Sequence, residues 1–362
     1  MNLDKILTQI KGNLDSSKKP SKMKVVYLFA HNTSGKTRLS NRFKEKYGDN
    51  VLCYNVFLED LFTWDNEHFI FKMDRNSWLS NLIKNEGLDS QIIGNFKKLT
   101  FSKLEPSFDL EEGEIVFKNY TGNEEPAENI KISKGEESFF IWSIFYTVLS
   151  LMCDTLSEKE EDRSTKFFNK IKYIVIDDPV SSMDDTRIIT ITLELIELMK
   201  KMSSLQNKVK FLITTHHCLF YNILYNENIP ELLSTKYIMS KVDTHNLLLE
   251  EQKHDSPFSY HNLIFKEIKK AISSDNIQKY HFNLFRALLE KTANFLGYTK
   301  KWSDLLEEDG NKQIFVKQLN HYSHSSLSEI EIKQLQNEDI AAFKKVFNSF
   351  VEKFHWNKEN EE

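Results

Sequence analysis

Five consecutive apolar residues, Val25-Val26-Tyr27-Leu28-Phe29, lead into Ala30-His31-Asn32-Thr33-Ser34-Gly35-Lys36-Thr37. An unbroken apolar run of this length predicts a strand covered on both faces. Two similar runs, Tyr173–Ile176 and Val209–Ile213, flank a helical pattern at residues 186–202. That strand-helix-strand alternation predicts a parallel sheet. Residues 77–104 read as helical with mixed polarity, and Ser138 to Met152 as an almost wholly apolar, buried helix. Residues 1–23 predict a short helix and a polar Ser/Lys/Pro linker, with the sheet domain starting at Lys24. The charged run at residues 157–163 predicts a solvated connector. After Leu249 the pattern changes. Turn-forming Asp255-Ser256-Pro257 intervenes, and helical segments dominate from Tyr260 onward. The expected architecture is an α/β domain at 1–249 followed by a smaller, mainly α-helical domain at 250–362.

Composition narrows this picture. Hydrophobic content of 40% and charged content of 28% suit a globular chain. No apolar stretch looks close to the roughly 20 residues that span a bilayer. The N-terminus has no apolar signal core, and Cys53, Cys153 and Cys218 are scattered. Together they predict a reducing cytoplasm, without a disulfide framework or zinc site. A net charge of −5 spreads no basic field over the molecule, so any nucleic acid must meet a local surface. With only 10 glycines in the chain, Gly35 and Gly135 inside motif frames carry added weight.

The strand running into Ser34-Gly35-Lys36-Thr37 is the pattern of a phosphate loop. There, backbone N–H groups and a helix N-terminus meet nucleotide phosphates. Asn32, Ser34 and Gly35 would line the loop, Lys36 would offset β/γ-phosphate charge, and Thr37 would offer a hydroxyl to Mg²⁺. Ala30 replaces the usual first glycine, which is tolerable if its φ stays negative. The strand ending Ile176-Asp177-Asp178-Pro179 supplies Asp177 for the Mg²⁺ shell and Asp178 to orient the attacking water. Ser133-Lys134-Gly135-Glu136, ahead of an apolar helix, resembles the signature motif of ABC-type ATPases. Ser181-Ser182-Met183-Asp184 resembles their D-loop, and His216 after Thr214-Thr215 resembles their switch histidine, which contacts the γ-phosphate. Taken singly, these are a helix cap, a turn and a core histidine; their shared order favours the ATPase. The spacing from Thr37 to Ser133 leaves no room for a long coiled-coil arm. Asp178 stands where most relatives of that class use glutamate, which predicts slow turnover. The signature motif serves the nucleotide of the opposite protomer, so one copy of each motif implies an isologous dimer with two composite sites.

Arg286 and Glu290 stand at i and i+4 in Phe282-Asn283-Leu284-Phe285-Arg286-Ala287-Leu288-Leu289-Glu290. A surface ion pair is the plain alternative, but a guanidinium within so apolar a run must join a network or line a cleft. Farther on, Asn320-His321-Tyr322-Ser323-His324-Ser325-Ser326 gathers two histidines among hydroxyls.

Here the resemblance becomes specific. Lys134-Gly135-Glu136-Glu137-Ser138, Phe140-Ile141-Trp142-Ser143 and Ile176-Asp177-Asp178-Pro179-Val180-Ser181-Ser182 carry it in the first part. Tyr280-His281-Phe282, Glu290-Lys291-Thr292-Ala293, Phe295-Leu296-Gly297-Tyr298 and Ser323-His324-Ser325 carry it in the second. Over nearly its whole length the chain resembles the PrrC-type bacterial anticodon nucleases. The resemblance implies a metal-independent ribonuclease triad of Arg286, Glu290 and His324, with His321 the competing histidine. It implies cleavage of a tRNA, typically lysine tRNA, in the anticodon loop as an antiviral response. It further implies a latent state held by a type I restriction-modification complex, with ATP or GTP and Mg²⁺ at the ATPase domain. A second regulatory nucleotide such as dTTP and an even-numbered oligomer above the dimer belong to the same expectation. The family's substrate-recognition stretch falls on Lys253, His254 and Asp255, where it reads shorter and lacks the usual Lys-Tyr-Gly-Asp. A turn between domains is the other reading of that stretch. Two further functions fit the motifs: an ABC-type ATPase acting on DNA or partner proteins without a nuclease, and an NTP sensor that has lost its nuclease.

Overall fold

The structure, a computed structural model, describes residues 1–54, 61–100, 103–119, 129–181, 183–205, 208–227, 229–242, 246–252, 260–297, 301–306, 312–324 and 335–354. The chain forms two compact units, Met1–Ser256 and Pro257–Glu362. The boundary expected after residue 249 falls inside a strand, Leu247–Glu251.

The first unit is built on a six-stranded sheet. Strand β1 (Met23–Ala30) is buried at all eight positions, as its apolar run predicts. It lies between β8 (Lys210–Thr215) and β9 (Leu232–Lys241), parallel to both. Beyond β8 come β7 (Tyr173–Asp177) and the edge strand β2 (Val51–Tyr54), also parallel. On the far side β10 (Leu247–Glu251) closes the sheet antiparallel to β9. Helix α1 (Leu3–Leu14) is part of this unit, not a prelude to it. Ile6, Leu7, Ile10 and Leu14 are fully buried in a cluster with Val26 and Leu28. Its end is tied down at Asp15, which accepts from Tyr173 Oη at 2.7 Å and from Lys11 and Lys210. Burial opposes ionisation of Asp15, but those three donors win and hold its carboxyl at about 2.

A second, antiparallel sheet runs β3 (Phe62–Asp65), β4 (Ile70–Met73), β6 (Glu114–Asn119), β5 (Leu104–Asp109). Helices α3 (Trp78–Glu86) and α4 (Asp89–Thr100) stand between its strands in sequence. This sheet has no counterpart in the sequence reading, because its strands are short and half-exposed. Helix α5 (Lys134–Ser157) is long and apolar enough to cross a membrane by length and composition, which amends the reading of the apolar runs. Its apolarity is explained by burial: Phe140, Trp142, Ile144, Phe145, Val148 and Leu149 are at most 1% exposed. Helix α6 (Asp185–Ser203) joins β7 to β8, and α7 (Cys218–Asn226) follows β8.

The second unit is helical over its described residues: α8 (Tyr260–Ser273), α9 (Lys279–Phe295), α10 (Lys312–His324) and α11 (Asn337–Lys353). Its core is aromatic, with Phe282, Phe285, Phe315, Phe343, Phe347 and Phe350 packed together. Burial of each such ring contributes roughly 1.5–3 kcal/mol. The cluster turns one face of α9 inward and leaves the face with Arg286 and Glu290 on the rim.

Candidate functional site

Sheet register brings three distant segments to one edge. Phe29 pairs with Thr215 and Asp177 with Thr214, so the chain leaves the ends of β1, β7 and β8 side by side. Ligands of open α/β sheets bind at this carboxyl edge. The loop after β1 turns through Thr33 (φ 66°) and Gly35 (φ 97°) before entering α2 (Lys36–Tyr47). Ala30 is absent from the left-handed positions, so the alanine is tolerated where glycine is usual.

Lys36 is buried, with Nζ 3.2 Å from His31 O, 3.4 Å from Asn32 Oδ1 and 3.8 Å from Asp178 Oδ2. Burial lowers its pKa, against the charges of Asp178 and Asp177 that raise it. Ser34 Oγ donates to His31 O and stiffens the turn. Asp177 accepts from Thr214 Oγ1 and from the Thr37 hydroxyl. Burial pushes its carboxyl above the usual range; the two hydroxyls pull the other way, and the charge of Asp178 adds to the rise. A hydroxyl and a carboxylate beside a buried lysine at a helix N-terminus suit a Mg²⁺-bound triphosphate. Among the described residues no cluster of three or more His, Cys, Asp or Glu could hold a metal on its own.

Asp178 is the best-connected residue of the edge. Its N–H donates to Thr214 O at 2.8 Å, and its Oδ1 accepts from Thr215 Oγ1 at 3.1 Å and from His216 N at 3.2 Å. Its Oδ2 meets His216 Nδ1. Burial raises the carboxyl's pKa, but the His216 hydrogen bond and charge, with Lys36, outweigh it and hold the group below its usual range. His216, expected at a γ-phosphate, meets Asp178 through its Nδ1. The sequence marks Thr214 and Thr215 only as a strand end, yet their hydroxyls donate to the two acids, Thr214 to Asp177 and Thr215 to Asp178.

Ser133, exposed, is the N-cap of α5. Its Oγ accepts from Glu136 N at 3.2 Å, while Glu136 Oε2 accepts from Ser133 N at 2.8 Å. The two therefore form a capping box, with Gly135 in the first turn between them. Asp184 likewise caps α6, accepting from the N–H groups of Thr186 and Arg187 and pairing with Arg187 Nη1 at 3.2 Å.

In the second unit Arg286 Nε donates to Glu290 Oε1 at 2.7 Å. The arginine is 18% exposed and the glutamate 43%. The guanidinium carbon lies 5.8 Å from the ring centroid of Trp302, a neighbour that nothing in sequence spacing marks. Helix α10 packs on α9 and closes at His324. The side chains of His321 and His324 lie outside the described residues, as do Lys253, His254 and Asp255 entirely.

A family model described as an AAA domain matches residues 97–352, a span that holds Ser133, Asp178, His216, Arg286, Glu290 and His324. An anticodon nuclease from Escherichia coli is 41% identical over 336 residues, covering 84% of this chain and 83% of that protein. Among solved structures, an Smc head bound to the C-terminal winged-helix domain of ScpA matches at TM-score 0.37 and 9% identity, over 65% of this chain and 91% of that one. The SMC head domain of Thermotoga maritima matches at 0.32 and 10%, over 64% and 91%.

Proposed function

The chain belongs to the AAA-domain family and to the anticodon nucleases, and from that premise we propose that it cuts a tRNA in its anticodon loop under control of a nucleotide held at Lys36. The observation that carries this is the Arg286–Glu290 pair, 2.7 Å apart on the rim of the helical core and beside the helix that closes at His324.

RNA can be cut without a metal because its 2′-OH is an internal nucleophile. The reaction needs a base for that proton, an acid for the 5′-leaving oxygen and positive charge at the developing phosphorane. Glu290 takes the base role, His324 the acid role and Arg286 the stabilising one. The products carry 2′,3′-cyclic phosphate and 5′-OH ends. Lysine tRNA is the substrate we assign, with Lys253, His254 and Asp255 as the recognition stretch.

In the first unit, loop N–H groups and Lys36 hold the phosphates of ATP or GTP, and Thr37 with Asp177 holds Mg²⁺. Bound Mg²⁺ neutralises charge on the β- and γ-phosphates. Asp178 and His216 act as a pair on the attacking water. Ser133, Gly135, Glu136 and Asp184 complete the site of a second copy, which makes the working unit a head-to-tail dimer or an even multiple of it. Bacterial anti-phage defence in the cytoplasm, silencing by a type I restriction-modification complex and control by a second nucleotide such as dTTP complete the proposal.

Sequencing of RNA ends from cells that express the chain tests it. Wild type should halt growth and yield tRNA nicked in the anticodon loop, and Arg286→Ala should do neither. DNA-stimulated hydrolysis with intact tRNA would instead identify an ATPase acting on DNA.

A further inference from the structure

Trp302 opens a single 3₁₀ turn, Trp302–Leu305, that packs against α9. The turn is firmly anchored. Leu305 and Leu306 are buried in the aromatic core, Lys353 Nζ donates to Leu305 O at 2.9 Å, and Lys312 Nζ donates to Leu306 O at 3.3 Å. The indole itself is half-buried, with the Arg286 guanidinium at 5.8 Å from its ring centroid. That is within the roughly 6 Å over which a cation is attracted to an aromatic face. The guanidinium therefore has an anion on one side, Glu290, and a rigidly mounted ring on another.

We infer that Trp302 is a positioning residue for the nuclease site: its ring holds the Arg286 guanidinium at the angle where it both pairs with Glu290 and meets the scissile phosphate. This rests on the catalytic reading of Arg286 and Glu290. The physical need is plain. An arginine on a half-exposed rim has several soft torsions, and displacement of a catalytic group by about 1 Å can lower a rate about 100-fold. Glu290 shares the helix of Arg286 and can follow the arginine as it swings. Trp302 is mounted on a separate element and cannot.

The full-length chain with lysine tRNA tests this, by single-turnover rate and half-saturating concentration. Trp302→Phe keeps an aromatic face and should stay within about threefold of wild type. Trp302→Leu should slow the cut about 10- to 100-fold with the half-saturating concentration unchanged. In an Arg286→Lys background, which lacks the planar fork, Trp302→Leu should add little further loss. Should Trp302→Leu melt below the assay temperature, Trp302→Met, unbranched and better able to fill an irregular gap, is measured in its place. Three results would overturn the role: a wild-type rate for the folded leucine or methionine variant, a loss seen only in half-saturating concentration, or an undiminished effect in the lysine background. A loss confined to binding would mean that the indole stacks on an RNA base instead. If Arg286→Ala itself cuts at the wild-type rate, the catalytic reading fails first, which sets that outcome apart.

Discussion

Asp178 holds a left-handed backbone conformation, φ 54°, that few residues other than glycine, asparagine and aspartate accept without cost. The twist turns its carboxylate back onto Thr215, His216 and Lys36. Because its pKa in the folded chain lies below the ordinary value, the stabilisation is complete above about pH 4 and fades as pH falls through the folded value. Asp178→Asn should therefore lower the melting temperature at pH 7 by a few degrees, about 1–2 kcal/mol. The gap to wild type should close as the buffer is taken below about pH 4; thermal melts across that range check it, and a constant gap would refute it. At the nuclease, Glu290→Gln and His324→Ala should each slow tRNA cleavage about 10²- to 10⁴-fold, the usual worth of a general acid or base. End-group analysis of the residual product should still find 2′,3′-cyclic phosphate.

Among the elements, α5 is where the cap and the proposed signature role meet on one residue, Ser133. As N-cap it satisfies the Glu136 N–H, worth about 1 kcal/mol; as signature serine it would face another copy's nucleotide. Ser133→Asp separates them, because aspartate caps as well as serine while its charge repels a phosphate. The variant should melt within about 1–2 °C of wild type yet lose most NTP hydrolysis. Equal hydrolysis in wild type and variant would leave Ser133 with the cap alone. Strand registers matter as much. The pairings of β7 with β8 and of β8 with β1 set Asp177, Thr214 and the phosphate loop on one edge, and a slip by one residue would turn each side chain to the opposite face.

For the whole molecule, a two-fold dimer with composite sites makes a quantitative demand. Lys36→Ala and Ser133→Arg should each be inactive alone. Mixed in equal amounts they should regain roughly a quarter of wild-type hydrolysis, since half the dimers are mixed and each holds one intact site. Ser133→Arg alone should still bind one nucleotide per chain, as equilibrium dialysis would show. Full hydrolysis by Ser133→Arg as a monomer would remove the case for the dimer.

The phosphate loop and the Arg286–Glu290 pair were readable in the sequence because each is contiguous or one helical turn long, so local geometry alone brings its atoms together. The buried strands were equally readable, since sheets covered on both faces must be apolar throughout. Only the fold decided that His216 serves Asp178, that Thr214 and Thr215 hold the acids, that α1 belongs to the core and that Trp302 stands beside Arg286. Those contacts join residues far apart in the chain, and they arise from sheet order and helix packing, which no short window of sequence encodes.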